Sequence, residues 1–380
     1  MKKFSLLIAG ALLVPASVFA DSADSKLPTP ANVYYKDGAV FDFPDSGTKV
    51  KLNGAFQGRY RYFDYDGSEH EDKNDFDVRI ARMILSGSTL RDDFSFRLEN
   101  DFVGKKNEDG EKESSLLDAW GQWKFDELAQ LRFGQYKVPF STQYNASSMK
   151  LQTISRSIAT DKFAVGYSEG AMLHGSSGGA YYALSVDNGS SDGEGQNRNG
   201  VDSDVRGAAL AALTGGGYDR GSEGDVKNSS VLGWTTGVSG AIESGAYKTD
   251  ADVLRLGADA GVKVSGFSTI AEVFFRNTDP QAEGAGSETD DMGYFVQGGY
   301  FVVPQEWEVV GRISAINLDD EGLANDGVED KYEYVVGVNR YYLGHNLKVQ
   351  ADVVWEQNKT LDSEFDATDF RAELQLSYVI

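Results

Sequence analysis

From residue 49 onward, apolar and polar side chains of this chain take turns. In 51–63 the even positions are Leu52, Gly54, Phe56, Gly58, Tyr60 and Tyr62, and the odd ones include Lys51, Asn53, Gln57, Arg59 and Arg61. Successive side chains of an extended backbone point to opposite faces, so one face here is apolar and aromatic and the other polar and cationic. Segment 94–102 repeats this, with Phe94, Phe96, Leu98 and Phe102 against Ser95, Arg97, Glu99 and Asp101. So does 347–356, with Leu347, Val349, Ala351, Val353 and Trp355 against Lys348, Gln350, Asp352 and Glu356. So does 368–380, with Phe370, Ala372, Leu374, Leu376, Tyr378 and Ile380 against Arg371, Glu373, Gln375 and Ser377. One such strand fits any sheet with a wet face. Repetition along the chain confines the fold to an all-β one.

Sixteen strands are predicted, at 49–65, 75–90, 93–103, 115–125, 129–138, 167–175, 179–188, 204–213, 230–242, 251–264, 267–277, 291–303, 306–317, 331–342, 345–357 and 368–380. Their lengths centre near the ~10 residues that a tilted strand needs to cross a bilayer. Short turns follow alternate strands: Arg91-Asp92, Asp126-Glu127-Leu128, Ser176-Ser177-Gly178, Ser265-Gly266, Pro304-Gln305 and Leu343-Gly344-His345. Long polar loops follow most of the others, at 66–74, 104–114, 139–166, 189–203, 278–290, 318–330 and 358–367. This two-length rhythm predicts a 16-stranded antiparallel transmembrane β-barrel over 49–380. A soluble sandwich or propeller would rarely combine an even strand count with that rhythm. Segment 214–229 breaks the rule, being a long connection on the short-turn side. Aromatic residues near strand ends (Tyr60, Tyr62, Phe63, Trp120, Trp123, Tyr341, Tyr342, Trp355 and Tyr378) are expected to form interfacial girdles.

Residues 1–20 read as a signal peptide: Lys2 and Lys3, an apolar run over 4–14, then Val18-Phe19-Ala20 before Asp21. The run is too short to span a bilayer. Residues 21–48 are expected to be an N-terminal periplasmic segment. The chain has no cysteine, which excludes disulfides, thiolate metal sites and a Cys nucleophile. A formal charge of −23 argues against nucleic acid as partner. The three histidines, His70, His174 and His345, show no Ser–His arrangement that predicts an enzyme. No metal and no cofactor is expected.

The acidity is uneven. Loops 278–290 and 318–330 together hold ten acids and no Lys or Arg. These loops lie outside the bilayer band and are expected to meet solvent and lipopolysaccharide. Arginines instead sit on the early strands, and a lipid-facing arginine at mid-membrane costs several kcal/mol. Arg59, Arg61, Arg79, Arg82, Arg97, Arg132 and Lys137 are therefore expected to line the bore, with Lys150 and Arg156 in the long third loop. Arg79 and Arg82 have opposite parity, so one lies near a rim or a bulge intervenes. Glu99, Asp101, Asp118, Asp352 and Glu373 share the inner face and would offset the cations. Loop 139–166, at 28 residues, is expected to fold inward and narrow the bore. Sixteen strands enclose an aqueous channel. Cation rings in a pore favour anions. Two functions follow: passive diffusion of small anions, or a general, mildly cation-preferring diffusion pore.

Several stretches resemble the phosphate-selective porin O and P family. Val78-Arg79-Ile80-Ala81-Arg82-Met83 is similar to its Arg-rich second strand. Leu117-Asp118-Ala119-Trp120 and Phe133-Gly134-Gln135-Tyr136-Lys137-Val138-Pro139-Phe140-Ser141 resemble its Asp-Ala and Gly-Gln-x-Lys-x-Pro-Phe-Ser signature. Ser147-Ser148 and Arg156 fall where the family has Ser-Ser and Glu-Arg, with Ser155 replacing the Glu. Tyr182 to Gly189, Gly293 to Tyr300 and Val336 to Tyr342 resemble later strands. The resemblance implies an outer-membrane porin, a homotrimer, and passage of phosphate or polyphosphate along an arginine-lined bore.

Overall fold

The computed structural model describes residues 32–65, 72–104, 114–189, 205–246, 250–282, 286–318, 328–360 and 367–380. Two short strands come first, β1 (Asn32–Tyr35) and β2 (Ala39–Phe43). Sixteen longer ones follow: β3 (Thr48–Asp64), β4 (Lys73–Thr89), β5 (Phe94–Asp101), β6 (Ser115–Lys124), β7 (Gln130–Lys137), β8 (Tyr167–Ser177), β9 (Ala180–Asp187), β10 (Arg206–Gly215), β11 (Gly233–Ala246), β12 (Ala251–Val264), β13 (Phe267–Pro280), β14 (Thr289–Val303), β15 (Trp307–Asn317), β16 (Val328–Tyr341), β17 (Leu347–Thr360) and β18 (Ala367–Val379). Each of the sixteen predicted strands is found. The weakly patterned one expected at 204–213 is β10. The hairpin β1–β2 was not foreseen. Among the described residues, helix is limited to α1 (Thr142–Asn145), α2 (Ile158–Phe163) and two 3-10 turns.

Every neighbour from β3 to β18 pairs antiparallel, and β18 pairs back onto β3, so the sheet closes into a barrel. The seam runs from Phe370↔Asp64 to Val379↔Ala55. It finishes with a reciprocal pair, in which Ile380 N donates to Gly54 O at 2.8 Å and Gly54 N donates to Ile380 O at 3.3 Å. Where β18 stops, β2 takes over the edge of β3, pairing Ala39↔Leu52 through Phe43↔Thr48.

The two faces of the wall invert the order of a soluble protein. On β14, Tyr294 and Val296 are 48% and 52% exposed, while Gln297 between its neighbours is fully buried. Along the sheet the exposed side chains are large and apolar. The buried ones include Gln57, Glu99, Arg312, Asn339, Lys348 and Gln375. In a closed cylinder the buried face is the inner one, and the apolar face is left to hydrocarbon. Three aromatics expected in the girdles belong to the inner face. Trp120 lies beneath Arg132, Phe63 beneath Arg61, and Tyr341 donates from its hydroxyl to Glu308. Their parity along the strand, which the girdle argument ignored, puts them there.

The register shifts once on β4. Gln57 faces Ile80 but Gly58 faces Val78, which leaves Arg79 unmatched. This β-bulge answers the parity conflict: Asp75, Asp77 and Arg79 face inward before it, Ile80 and Arg82 after it.

Within the motif 133–141 each residue has a distinct place. Phe133 faces outward, 56% exposed. Gly134 has φ +117°, and a Cβ there would lie 2.1 Å from the Ala119 carbonyl oxygen. Gln135 Nε2 donates to the carbonyls of Leu116 and Leu117. Val138 and Phe140 enter an apolar cluster with Phe163, Ile270, Phe274 and Phe295 on the inner wall. Ser141 caps α1 by accepting from Tyr144 N, and its own φ of +64° is a strained value for a residue with a side chain. Glu272 holds that geometry, accepting from Ser141 Oγ at 2.7 Å and from Gln143 N at 2.5 Å. Gly134→Ala should therefore destabilise the barrel by about 1–3 kcal/mol or more. The readout is the yield of heat-modifiable folded barrel on semi-native gels, and an unchanged yield would refute this account of Gly134.

Candidate functional site: the inner face of the wall

The connection 138–166 leaves β7 and hydrogen-bonds to side chains of strands distant in sequence. Arg82 Nη1 donates to Ser148 Oγ at 3.1 Å, and Gln57 Nε2 to Ser148 O at 3.4 Å. Lys348 Nζ donates to Leu151 O, and Asn339 Nδ2 to Gln152 O. Ile154 N donates to Asp352 Oδ2 at 2.6 Å. Arg312 holds the next stretch, donating to Thr153 Oγ1, Ser155 O and Arg156 O. Ala159 N donates to Ser314 Oγ, and Phe163 stacks on Phe274 with ring centroids 5.8 Å apart.

The irregular connection between β10 and β11 meets that loop from the other end. Glu223 accepts from Gln152 N at 2.7 Å, Gln143 Nε2 at 2.9 Å and Gln297 Nε2 at 2.8 Å. Arg220 bridges Asp259, Thr235 and Thr142. Lys263 Nζ donates to the carbonyls of Asp219 and Ser222. His345, in the turn after β16, has Nε2 3.2 Å from Ser222 Oγ and 3.1 Å from Glu223 O. Among the described residues the ring's other nitrogen has no hydrogen-bond partner. Burial first, and the nearby Lys348 second, hold its pKa well below the ordinary 6.5.

The nine cations singled out in the sequence separate into two groups. Four strand arginines are each contacted by two carboxylates. Arg59 makes a fork with Asp77 at 3.1 and 2.9 Å and reaches Glu373 at 3.3 Å. Arg61 makes a similar fork with Asp75, and Asp77 lies 3.6 Å away. Arg82 pairs with Asp101 at 2.8 Å and Glu99 at 3.1 Å. Arg97 pairs with Asp118 at 2.9 Å and Glu99 at 2.5 Å. Such planar forks fix geometry and cancel charge locally.

The second group has no carboxylate partner among the described residues. Arg79 donates to Gln57 Oε1 at 2.9 Å. Arg132 donates to Gln122 Oε1 and sits 4.1 Å above the Trp120 ring. Lys137 donates to Tyr144 O at 2.9 Å and Ala146 O at 3.1 Å. Arg156 donates to the same two carbonyls at 3.2 and 3.0 Å, and also to Gln143 O. Lys137 and Arg156 thus converge on one pair of carbonyls, with Arg132 further along β7. Lys150 is exposed at the loop tip.

Sequence reasoning missed the positioning cations that follow: Arg220 in the β10–β11 connection, and on later strands Arg312, Lys348, Lys263 and the tight group of Arg206 and Arg255 around Asp187 and Glu243. The inward parity of Arg312 between Gly311 and Ile313 was available as a signal. Its loop partners were not. The acidic stretch 319–327 lies outside the described residues.

This barrel is shared by solved proteins. The outer-membrane channel DcaP of Acinetobacter baumannii superposes with a TM-score of 0.59 at 17% identity, over 88% of this chain and 98% of that one. OprB of Pseudomonas putida gives 0.59 at 10% identity, over 87% and 94%. OmpT of Vibrio cholerae in its trimer form gives 0.53 at 11%, over 87% and 99%. At these identities the likeness is one of fold. An uncharacterized protein of Aquifex aeolicus is 25% identical over 392 aligned positions, 87% of each chain. The description "Phosphate-selective porin O and P" matches residues 50–380. With the closed 16-strand wall, this places the protein in a bacterial outer membrane as a channel, and the chain belongs to the phosphate-selective porin O and P family.

Proposed function

We propose that this channel passes small anions by passive diffusion, phosphate or polyphosphate among them. We also propose that its selectivity resides in Arg79, Arg132, Lys137 and Arg156. The observation that supports this reading is the division between neutralised and unneutralised cations on one wall. A guanidinium forked to a carboxylate presents little net charge to a passing solute. One held by amide and carbonyl oxygens keeps its full charge and spare N–H donors. Such arginines, together with Lys137, favour oxyanions, and several weak contacts in series let a solute leave as well as enter.

In this reading, 138–166 is the constriction loop and 215–232 its counterpart from the short-turn end. Together they occupy the side of the bore nearest β11–β17. The solute path then runs along β3–β9, where seven of the nine sequence-selected cations lie, with Lys150 and Arg156 on the loop itself. A homotrimer is proposed as the assembly, in keeping with the trimer form of the structurally similar OmpT. A general or mildly cation-preferring pore is the second reading. It is favoured by the carboxylates Asp75, Asp77, Glu99, Asp101, Asp118 and Glu373, which match or exceed the arginines they contact.

Reversal potentials across planar bilayers in a KCl gradient separate the two readings. Anion preference is expected, and a cation-selective sign would overturn the proposal. Arg156→Gln should lower the chloride-to-potassium permeability ratio. One charge at about 4 Å in water is worth about 1 kcal/mol, or roughly fivefold. The charge-neutral double change Arg59→Gln with Asp77→Asn should leave the ratio unmoved. Equal effects from both variants would remove the distinction between the two groups.

Millimolar phosphate should reduce the chloride current, and Arg79→Gln should raise the half-blocking concentration several-fold. Absence of block would leave anion flow without phosphate recognition.

Docking of 215–232 should weaken in acid. A His345 released from its contacts takes up a proton near pH 6.5, whereas the docked ring resists until lower pH. The docked state therefore loses stability as pH falls through that range. Lys348, Lys150 and Lys263 around the ring add to the cost of charging it. Hydrogen exchange in 215–232 should be faster at about pH 5 than at about pH 7.5. His345→Gln should flatten that difference, and an equal difference in the variant would exclude His345 as its cause.

A further inference from the structure

Arg340 departs from the rule that places strand arginines on the inner face. On β16, Tyr334, Val336, Val338 and Tyr342 are 38%, 58%, 42% and 57% exposed, while Val335, Asn339 and Tyr341 are buried. Arg340 shares the parity of the exposed set, so it faces outward, one position from the short-turn end. It stands directly opposite Trp307 in the β15–β16 ladder. Its guanidinium carbon lies 5.3 Å from the centroid of a Trp307 ring and 5.1 Å from that of Tyr342. Its Nη1 donates to Glu306 Oε2 at 2.5 Å. Glu306 belongs to the 304–306 turn, and its side chain is 53% exposed. Beside these residues, at the short-turn rim, opens a cavity of about 460 Å³ whose lining also takes in Val226, Tyr341 and Gly344.

An outward arginine is tolerated only where water and headgroups reach it, because its cost is high at the midplane and nearly vanishes at the interface. Two aromatic rings flank the guanidinium there and hold it by cation–π attraction. The hydrogen bond to Glu306 uses one of the five N–H donors of Arg340, which lines the cavity. The adjoining carboxylate keeps open lone pairs. A fixed cation beside a fixed anion, floored by aromatic rings at headgroup depth, complements a headgroup carrying both charges on a short arm. The phosphodiester would take the free guanidinium N–H groups, and a primary ammonium would donate to Glu306. A purely anionic headgroup would meet Glu306 unfavourably. A quaternary ammonium has no N–H to give it.

We propose that the Arg340–Glu306–Trp307–Tyr342 cluster is a binding site for an aminoethyl-phosphodiester glycerophospholipid of the leaflet at the short-turn end. The inference rests on the membrane placement of the barrel and is independent of which ions the bore prefers.

Native mass spectrometry of the folded, detergent-purified protein tests it, with phosphatidylethanolamine, phosphatidylglycerol and phosphatidylcholine added in equal amounts. The first lipid retained should be phosphatidylethanolamine, with a several-fold preference over each of the others. Arg340→Gln should reduce its retention several-fold. Glu306→Gln should retain lipid but lose the preference over phosphatidylglycerol. Both changes lie on the exposed rim, and heat-modifiable mobility confirms that each variant is folded. Equal retention by wild type and Arg340→Gln, or no preference in the wild type, would overturn the proposal.

Discussion

A strand crossing hydrocarbon has no water to bond its amides, so an unpaired edge there costs several kcal/mol per group. Everything in this molecule follows from meeting that demand with one continuous ladder. The last strand returns to β3, and the terminal Ile380 and Gly54 exchange both of their backbone bonds. Below that point β3 extends past its partner, and β2 supplies the missing bonds to residues 48–52. Closure also settles the side chains. With period-2 geometry and no open edge, one set must face lipid and the other must face what the cylinder encloses.

The inner set then has its own problem. Polar and charged groups crowd a space with restricted water, and each needs a partner. The wall answers in two ways. Near β3–β6 and β18 it places acids beside arginines, as in Arg59 with Asp77 and Glu373. Near β13–β17 it uses chain segments as partners, so that Lys348, Asn339 and Arg312 are satisfied by backbone oxygens of 151–156. Losing one member of a buried pair such as Arg312 and Glu333 would strand the other, at a cost of about 3–5 kcal/mol. On β3–β7 the cations left without acids are therefore exceptions beside arginines balanced charge against charge.

The strand count and the two faces were legible because they depend on local periodicity alone. All sixteen spans were recognisable from alternation and turn residues, even β10, whose Ala-rich pattern is faint. What the sequence did not reveal depends on three-dimensional neighbours. Whether Arg59 and Arg156 carry equal weight is decided by what lies across the ladder or along the loop, and both look alike in a list of arginines. Trp120 seemed a girdle residue because only its nearness to a strand end was weighed; its parity sets it under Arg132. The β1–β2 hairpin escaped notice because its strands have four and five residues and show no alternation long enough to count. The contact of Glu223 with Gln143, Gln152 and Gln297 joins segments up to 80 residues apart, which periodicity cannot see.

The single surplus residue on β4 has a wider meaning. Ahead of Arg79 the inward positions are odd-numbered, and beyond it they are even-numbered. The acids that answer β3 and the arginine that answers β5 can thus belong to one strand. Were that residue drawn into the ladder instead of bulging from it, the two halves of the strand would fall out of phase, and whichever half kept its partners would turn the other's charges toward the lipid tails. The strand's chemistry is in this sense written in two reading frames, and Arg79 is the point at which one gives way to the other.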